Sequence, residues 1–309
     1  VSRSAAFRID SRRRVGCLDF PVFDFLSRIN MKKKTISALL LAVLAGCGGD
    51  GADSTQADGA AFFPPSGSIA VKMDAASSDR LDMLLAERAA HPLDDAGQAI
   101  DRMSRALLGT PYRDDTLVGS PSVPEQLVVD LQGMDCFTFA DYVEALRKST
   151  TKMTFMLNLI DTRYVDGEVA YLRRKHFFTD WAYRPFRNVD DVTARVSPRA
   201  VTVHKMLNLR SDGRAYVAGL PATYRAITFI PAAFVDAYVV NQLKTGDYIG
   251  IYATADGLDV THVGIFVMTD RGPMLRNASS LDINRKVVDS PFVAYVAHTP
   301  GIVVLRPKS

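Results

Sequence analysis

Cysteine and tryptophan are nearly missing from this chain of 309 residues: there are three of the first and one of the second. Cys17 and Cys47 lie in an N-terminal stretch of distinct character and Cys136 stands alone in the remainder, so no structural disulfide can form there. Polybasic runs interleaved with aromatics are also missing after that stretch. Of 37 basic and 34 acidic residues, nine and three fall in the first 46 positions, which leaves 28 and 31 and a charge of about −3. The electrostatic footprint of a nucleic-acid binder is therefore absent. No Gly-rich phosphate loop and no Gly-x-Ser-x-Gly elbow occurs, which argues against nucleotide chemistry and serine hydrolysis. His176 and Asp180, four apart, have no third or fourth ligand to make a zinc site, and His91, His204 and His298 show no partner pattern.

What is present is ordinary globular composition, 48% apolar and 23% charged. Near the start, Met31-Lys32-Lys33-Lys34 and the apolar run Ile36 to Leu44 form the charged and hydrophobic regions of a secretory signal, too short to span a bilayer. The run ends in Leu44-Ala45-Gly46-Cys47, a lipobox. The expectation is a lipoprotein signal over 31–47, lipid on Cys47 as the mature N-terminus, and a membrane as partner through that anchor. Residues 1–30 would then lie upstream of the natural start. Gly48, rather than Asp, after the cysteine points to the outer membrane, facing the periplasm. Residues 48–79, rich in Gly, Ala, Ser and Asp, read as a flexible tether, and the folded domain is expected over 80–309.

Within that domain, Leu81 to Ala89 and Ala96 to Leu108 carry helical periodicity, the second ended by Gly109-Thr110-Pro111. A loop with Pro121 and Pro124 follows. A further helix opens at Cys136 behind Asp135, a good N-cap, and places Phe139, Ala140, Val143 and Leu146 on the face it shares with Cys136. Strand patterns then take over: Tyr248 to Thr254, Thr261 to Thr269, a turn at 270–273, Met274 to Ala278, and Ile302 to Arg306. Helices followed by an antiparallel sheet define an α+β domain, with N-terminal helices packed on the sheet.

Two residues in this pattern can carry chemistry. A thiol with a pKa near ~8.5 is a poor nucleophile at neutral pH unless its thiolate is favoured. Cys136 sits in the first turn of a helix, where free N–H groups and the positive end of the dipole favour an anion and can hold an oxyanion. A buried core cysteine is the plain alternative. On the strand, period-two alternation puts His262, Gly264, Phe266 and Met268 on one side and Val263, Ile265 and Val267 on the other. Gly264 leaves room for a neighbouring chain or a substrate. An imidazole facing a helix-start thiol can take its proton and return it to a leaving amine.

The segments Leu108-Gly109-Thr110-Pro111-Tyr112, Asp135-Cys136, Gly246-Asp247, His262-Val263-Gly264-Ile265 and Asn277-Ala278-Ser279 resemble, in order, the motifs of NlpC-type, papain-like cysteine peptidoglycan hydrolases. The stretches 163–167, 174–181 and 257–259 resemble its N-acetylmuramoyl-L-alanine amidase-like branch, over roughly Gln98 to Pro307. The resemblance implies a papain-like fold without cofactor or metal. It implies Cys136 as nucleophile, His262 as general base and acid, and Asn277 as the residue orienting the imidazole, with Ser279 as the other candidate. Tyr112, Asp135, Thr138, His176, Trp181, Asp259 and Ser279 are the implied substrate contacts. For His176 and Trp181 a structural role, one bonding a loop carbonyl and the other in the core, is equally open. The branch tends to show Glu where this chain has Asp141. The implied substrate is peptidoglycan or its muropeptide fragments, cut between N-acetylmuramic acid and L-Ala. A stem-peptide endopeptidase of the same fold and a wall-binding lipoprotein without activity are the alternatives, and the oligomeric state is left open.

Overall fold

The computed structural model describes residues 69–185 and 187–308. The segments 1–30 and 31–47, Cys47 with them, and the tether up to Ser68 lie outside the described residues.

The described elements already include residues ahead of the expected boundary at Arg80. Strand β1 (Val71–Met73) is followed by helix α1 (Ala75–Ala90), whose N-cap Asp74 accepts a hydrogen bond from the Ser77 N–H at 2.7 Å. The run Ala75-Ala76-Ser77-Ser78 has the composition of a tether, yet small residues are what a capped first turn buried against its neighbours requires. The buried Ser77 hydroxyl accepts from the Leu131 N–H at 3.0 Å. Helix α2 (Ala96–Ala106) starts with a capping box between Asp95 and Gln98 and ends two residues short of the expected Leu108. After strand β2 (Leu127–Val129), which runs parallel to β1, come α3 (Cys136–Arg147) and α4 (Lys152–Arg163). The capped helix α4 is absent from the sequence reading.

A short helix α5 (Asp180–Tyr183), strand β3 (Val189–Asp191) and helix α6 (Thr193–Val196) lead into the sheet. Its strands are β4 (Val201–Leu207) and β5 (Thr223–Pro231), then, after helix α7 (Ala237–Gln242), β6 (Tyr248–Tyr252), β7 (Val260–Thr269), β8 (Gly272–Ser279) and β9 (Lys286–Pro291). Helix α8 (Phe292–Val296) precedes the last strand, β10 (Gly301–Pro307). Among the described residues these form an eight-stranded sheet in the order β4-β5-β10-β6-β7-β8-β9, with β3 beside β10, and every pair is antiparallel. This is a mixed α/β architecture with helices first and an antiparallel sheet after, as expected. Gly246 enters β6 at φ +95°, and a Cβ there would come within 2.8 Å of the Gly97 Cα. The Gly246-Asp247 pair is thus fixed by backbone geometry, with Asp247 held by Arg306 at 2.7 Å.

The sheet is covered on both sides. On one, Tyr248, Val263, Ile265, Val267, Val303 and Leu305 pack with residues of α1 to α4 such as Leu81, Ile100, Phe139, Val143 and Phe155. On the other, Ile249, Ile251, Phe266, Leu275 and Ile302 pack with Val239 of α7 and with Phe292 and Val296 of α8. No described helix is long and apolar enough to cross a membrane.

Candidate functional site

Asp135 sets the position of Cys136. Its Oδ1 accepts from the Phe137 N–H (2.9 Å), the Thr138 N–H (2.7 Å) and the Thr138 hydroxyl (2.9 Å), while the Asp135 N–H donates to that hydroxyl at 3.0 Å. This capping box starts α3 at Cys136 and spends the Asp135 and Thr138 side chains on the backbone. Both are buried, and these bonds are made within the helix start. It also occupies two of the helix-start donors expected to serve an oxyanion. The Cys136 N–H is the donor of that turn not drawn into the cap.

Cys136 meets the sheet where two strands part. Strand β7 pairs with β8 from Thr269↔Gly272 to Ile265↔Arg276 and no further, although β8 continues against β9 as far as Ser279↔Lys286. Phe266 exchanges its backbone bonds with Gly246 and Asp247 on the β6 side, so the odd residues of β7 direct theirs toward β8. Val263, whose partner by register would be Ala278, falls outside the β7–β8 ladder at the split, and its N–H favours the Cys136 thiolate.

The His262 side chain lies on the side of β7 opposite Val263, as the alternation expected, which is the side of α8 and Tyr295 and not the helix-covered side that an imidazole facing the α3 start implied. Its Nε2 bonds the Asn277 Oδ1 at 3.0 Å, and its ring lies 6.2 Å from that of Tyr295, tilted by 30°. The Asn277 amide is itself fixed: Nδ2 donates to the Leu275 carbonyl at 3.0 Å and to Ser290 Oγ at 3.3 Å. Oδ1 must then accept, Nε2 must carry the hydrogen, and Nδ1 is left as the basic nitrogen. Continuing the β7–β8 register would set Ser279 opposite His262. Because the strands part, the bond goes to the diagonal residue Asn277, and Ser279 Oγ instead accepts from Asn284 Nδ2 at 3.2 Å.

Burial pushes the Cys136 thiol up to about 12, with the neighbouring Asp135 charge adding to it against the N–H groups of Val263, Cys136 and Phe137. Burial also lowers His262 to about 4, against the Asn277 bond. Both groups rest uncharged at neutral pH. Burial first, and then the charge Cys136 would carry, raises the phenols of Tyr112 and Tyr295 well above their usual range. Tyr295, on a five-residue helix without a motif, had no signal in the sequence.

Three of the other expected contacts are tied into the fold. Trp181 is fully buried, edge-on to Phe137 at 6.1 Å and to Tyr248 at 5.0 Å. His176 Nε2 bonds the Tyr171 carbonyl at 2.8 Å, and burial lowers the imidazole to about 4. Asp259 is buried and accepts from the N–H groups of Thr179 (2.7 Å) and Val260 (2.8 Å), which ties the 176–181 stretch to the start of β7. Asp141 pairs with buried Arg163 at 2.7 Å. The room beside Gly264 is filled from within, since a Cβ there would meet Leu275 Cδ1 at 2.7 Å. Among the described residues no group of three His, Cys, Asp or Glu is arranged to hold a metal.

A thiol at a helix start and, on the adjoining strand, an imidazole bonded to an amide are the candidate catalytic groups of a mixed α/β scaffold. Residues 102–302 match the N-acetylmuramoyl-L-alanine amidase-like (AmiA-like) family, and the chain belongs to that family. A solved N-acetylmuramoyl-L-alanine amidase from Bacteroides uniformis ATCC 8492 is similar, at 28% identity and a TM-score of 0.58, over 70% of this chain and all of that one. Protein LPG0564 from Legionella pneumophila str. Philadelphia 1 shares the fold, at 19% identity and a TM-score of 0.64, over 76% of this chain and 97% of its own. No curated protein matches the chain.

Proposed function

We propose that this protein is a cysteine-dependent peptidoglycan amidase of papain-like, NlpC type that cleaves the amide between N-acetylmuramic acid and L-Ala. The carrying observation is the fixed Asn277 amide, which leaves His262 Nδ1 as an acceptor on a neutral imidazole. In the first step the Cys136 thiol proton passes to Nδ1 as the sulfur bonds the lactyl carbonyl carbon, with the Cys136 N–H stabilising the oxyanion. The imidazolium then gives its proton to the departing L-Ala nitrogen, leaving an acyl thioester. Water attacks that thioester with His262 as base, which releases the muramic acid carboxylate and restores the thiol.

Cys136→Ala should abolish turnover, His262→Ala should cost nearly as much, and the double variant little more, because the pair acts as a unit. Mass analysis of digested muropeptides is the test: an amidase releases intact stem peptide, an endopeptidase shortens it. Wild-type turnover in Cys136→Ala would end the assignment. For the placement of the enzyme, the lipobox at Cys47 supports an exported lipoprotein of the outer membrane facing the periplasm. Radiolabelled palmitate incorporation, lost in Cys47→Ala, tests it.

A further inference from the structure

The turn between β8 and β9 carries an arginine that the motifs do not include. Arg285 is exposed and adopts φ +45°, a left-handed conformation costly for a residue with a side chain. Its backbone is pinned: the Arg285 N–H donates to the Leu281 carbonyl at 2.9 Å and its own carbonyl accepts from the Tyr112 N–H at 2.8 Å. The guanidinium lies over the Tyr112 ring, 4.7 Å from the centroid.

The segment holding Tyr112 is stitched on both sides. It bridges Lys286 through Pro111 and Met134 through Tyr112, and Met134 lies two residues before Cys136. Adjacent extended segments lie about 4.8 Å apart, so the Arg285 backbone is roughly 10 Å from the stretch leading into the thiol, with the Tyr112 segment between. The charge at the far side of that ring has no carboxylate partner among the described residues. Asp114 and Asp135 also act on Tyr112, but Asp135 is committed to the helix cap, and Asp114 forms no ion pair with Arg285. A guanidinium stacked on a ring keeps its in-plane donors outward, in the fork that fits a carboxylate.

We propose that Arg285, braced on Tyr112, is a specificity-determining residue that binds a carboxylate on the peptide side of the scissile amide. This rests on the amidase reading, and it selects stem peptides whose second residue keeps a free carboxylate over those in which it is a carboxamide. A charge-assisted bidentate contact supports a preference of roughly tenfold to a hundredfold.

The test compares N-acetylmuramoyl-L-Ala-D-isoglutamate with its isoglutamine counterpart as substrates of the wild type, Arg285→Ala and Arg285→Lys. Expected are a wild-type preference for the carboxylate in kcat/KM, its collapse in Arg285→Ala through KM on that substrate alone, an intermediate Arg285→Lys, and unchanged thermal melting. Equal losses on both substrates, or a preference surviving in Arg285→Ala, would overturn the proposal. Calorimetric binding of both dipeptides to Cys136→Ala, with and without Arg285→Ala, separates it from the amidase reading. Arg285-dependent, carboxylate-selective binding supports it even where turnover fails, whereas equal binding of the two or none of either overturns it.

Discussion

Replacing Asn277 by Asp changes one atom of the site and reverses its electrostatics. In the wild type the amide oxygen accepts from His262 Nε2 at 3.0 Å without carrying charge, and burial holds the imidazole at about 4. A carboxylate in that place favours the imidazolium, and an opposite charge at such a distance raises a histidine by about one to three pH units. Each unit corresponds to about 1.4 kcal/mol of preference for the charged ring. Asp also loses the donations to the Leu275 carbonyl and Ser290 Oγ, at a cost of about 1–3 kcal/mol in stability if the carbonyl finds no other donor.

The sign follows directly. A general base must be uncharged, so activity falls as pH drops through the imidazole pKa. With that value near 4 almost all His262 is available at pH 6, and with it raised by two units only about half is. The acid limb of kcat/KM should therefore move upward in Asn277→Asp, whereas Asn277→Ala should keep its position and lose about two- to tenfold in rate, the worth of one hydrogen bond. NMR titration of the labelled His262 ring in Cys136→Ala, with and without Asn277→Asp, reads the same shift without turnover. A wild-type ring titrating near 6.5, or one that Asn277→Asp leaves in place, would refute the reasoning.

Two further outcomes follow from the scaffold. Asp141→Asn should cost about 3–5 kcal/mol in urea unfolding, because it strands the buried Arg163 guanidinium now 2.7 Å from the carboxylate; Asp141→Leu with Arg163→Met should be more stable than Asp141→Asn alone. Lys205 Nζ donates to the carbonyls of Ala253 (2.5 Å), Ala255 (2.8 Å) and Leu258 (3.1 Å), holding the loop that leads into β7. Lys205→Met should speed amide hydrogen exchange over 253–259 and lower kcat, and unchanged exchange there would remove the lysine from that role.

The parts of the fold that were legible announce themselves locally. Asp135 ahead of Cys136 and the alternation of β7 each reflect a nearest-neighbour constraint, the cap and the pleat. Strands β4 and β5 were not legible, since several of their residues are exposed or half-buried and their pairing joins segments some twenty residues apart. At the site, residue type was visible and direction was not. Asp135, Thr138 and Asp259 are polar residues within or beside motifs, and all three turn their side chains onto backbone N–H groups. The contacts of Tyr295 with His262 and of Arg285 with Tyr112 arise through tertiary packing, which no spacing encodes.

The same local event accounts for the position of all three candidate catalytic groups. Had β7 and β8 stayed zipped, Val263 would have spent its N–H on Ala278, the thiol would keep only the N–H groups of its own helix turn, and His262 would face Ser279. Ser279 is a weaker guide for an imidazole, because a hydroxyl can donate or accept and so does not choose a tautomer, whereas an amide whose nitrogen is already committed to Leu275 can only accept. Parting the strands costs ladder hydrogen bonds, and part of that cost is met by β9, which keeps β8 paired through Ser279. The split therefore persists only while the β8–β9 pairing holds, which makes the register of those two strands a condition for the site.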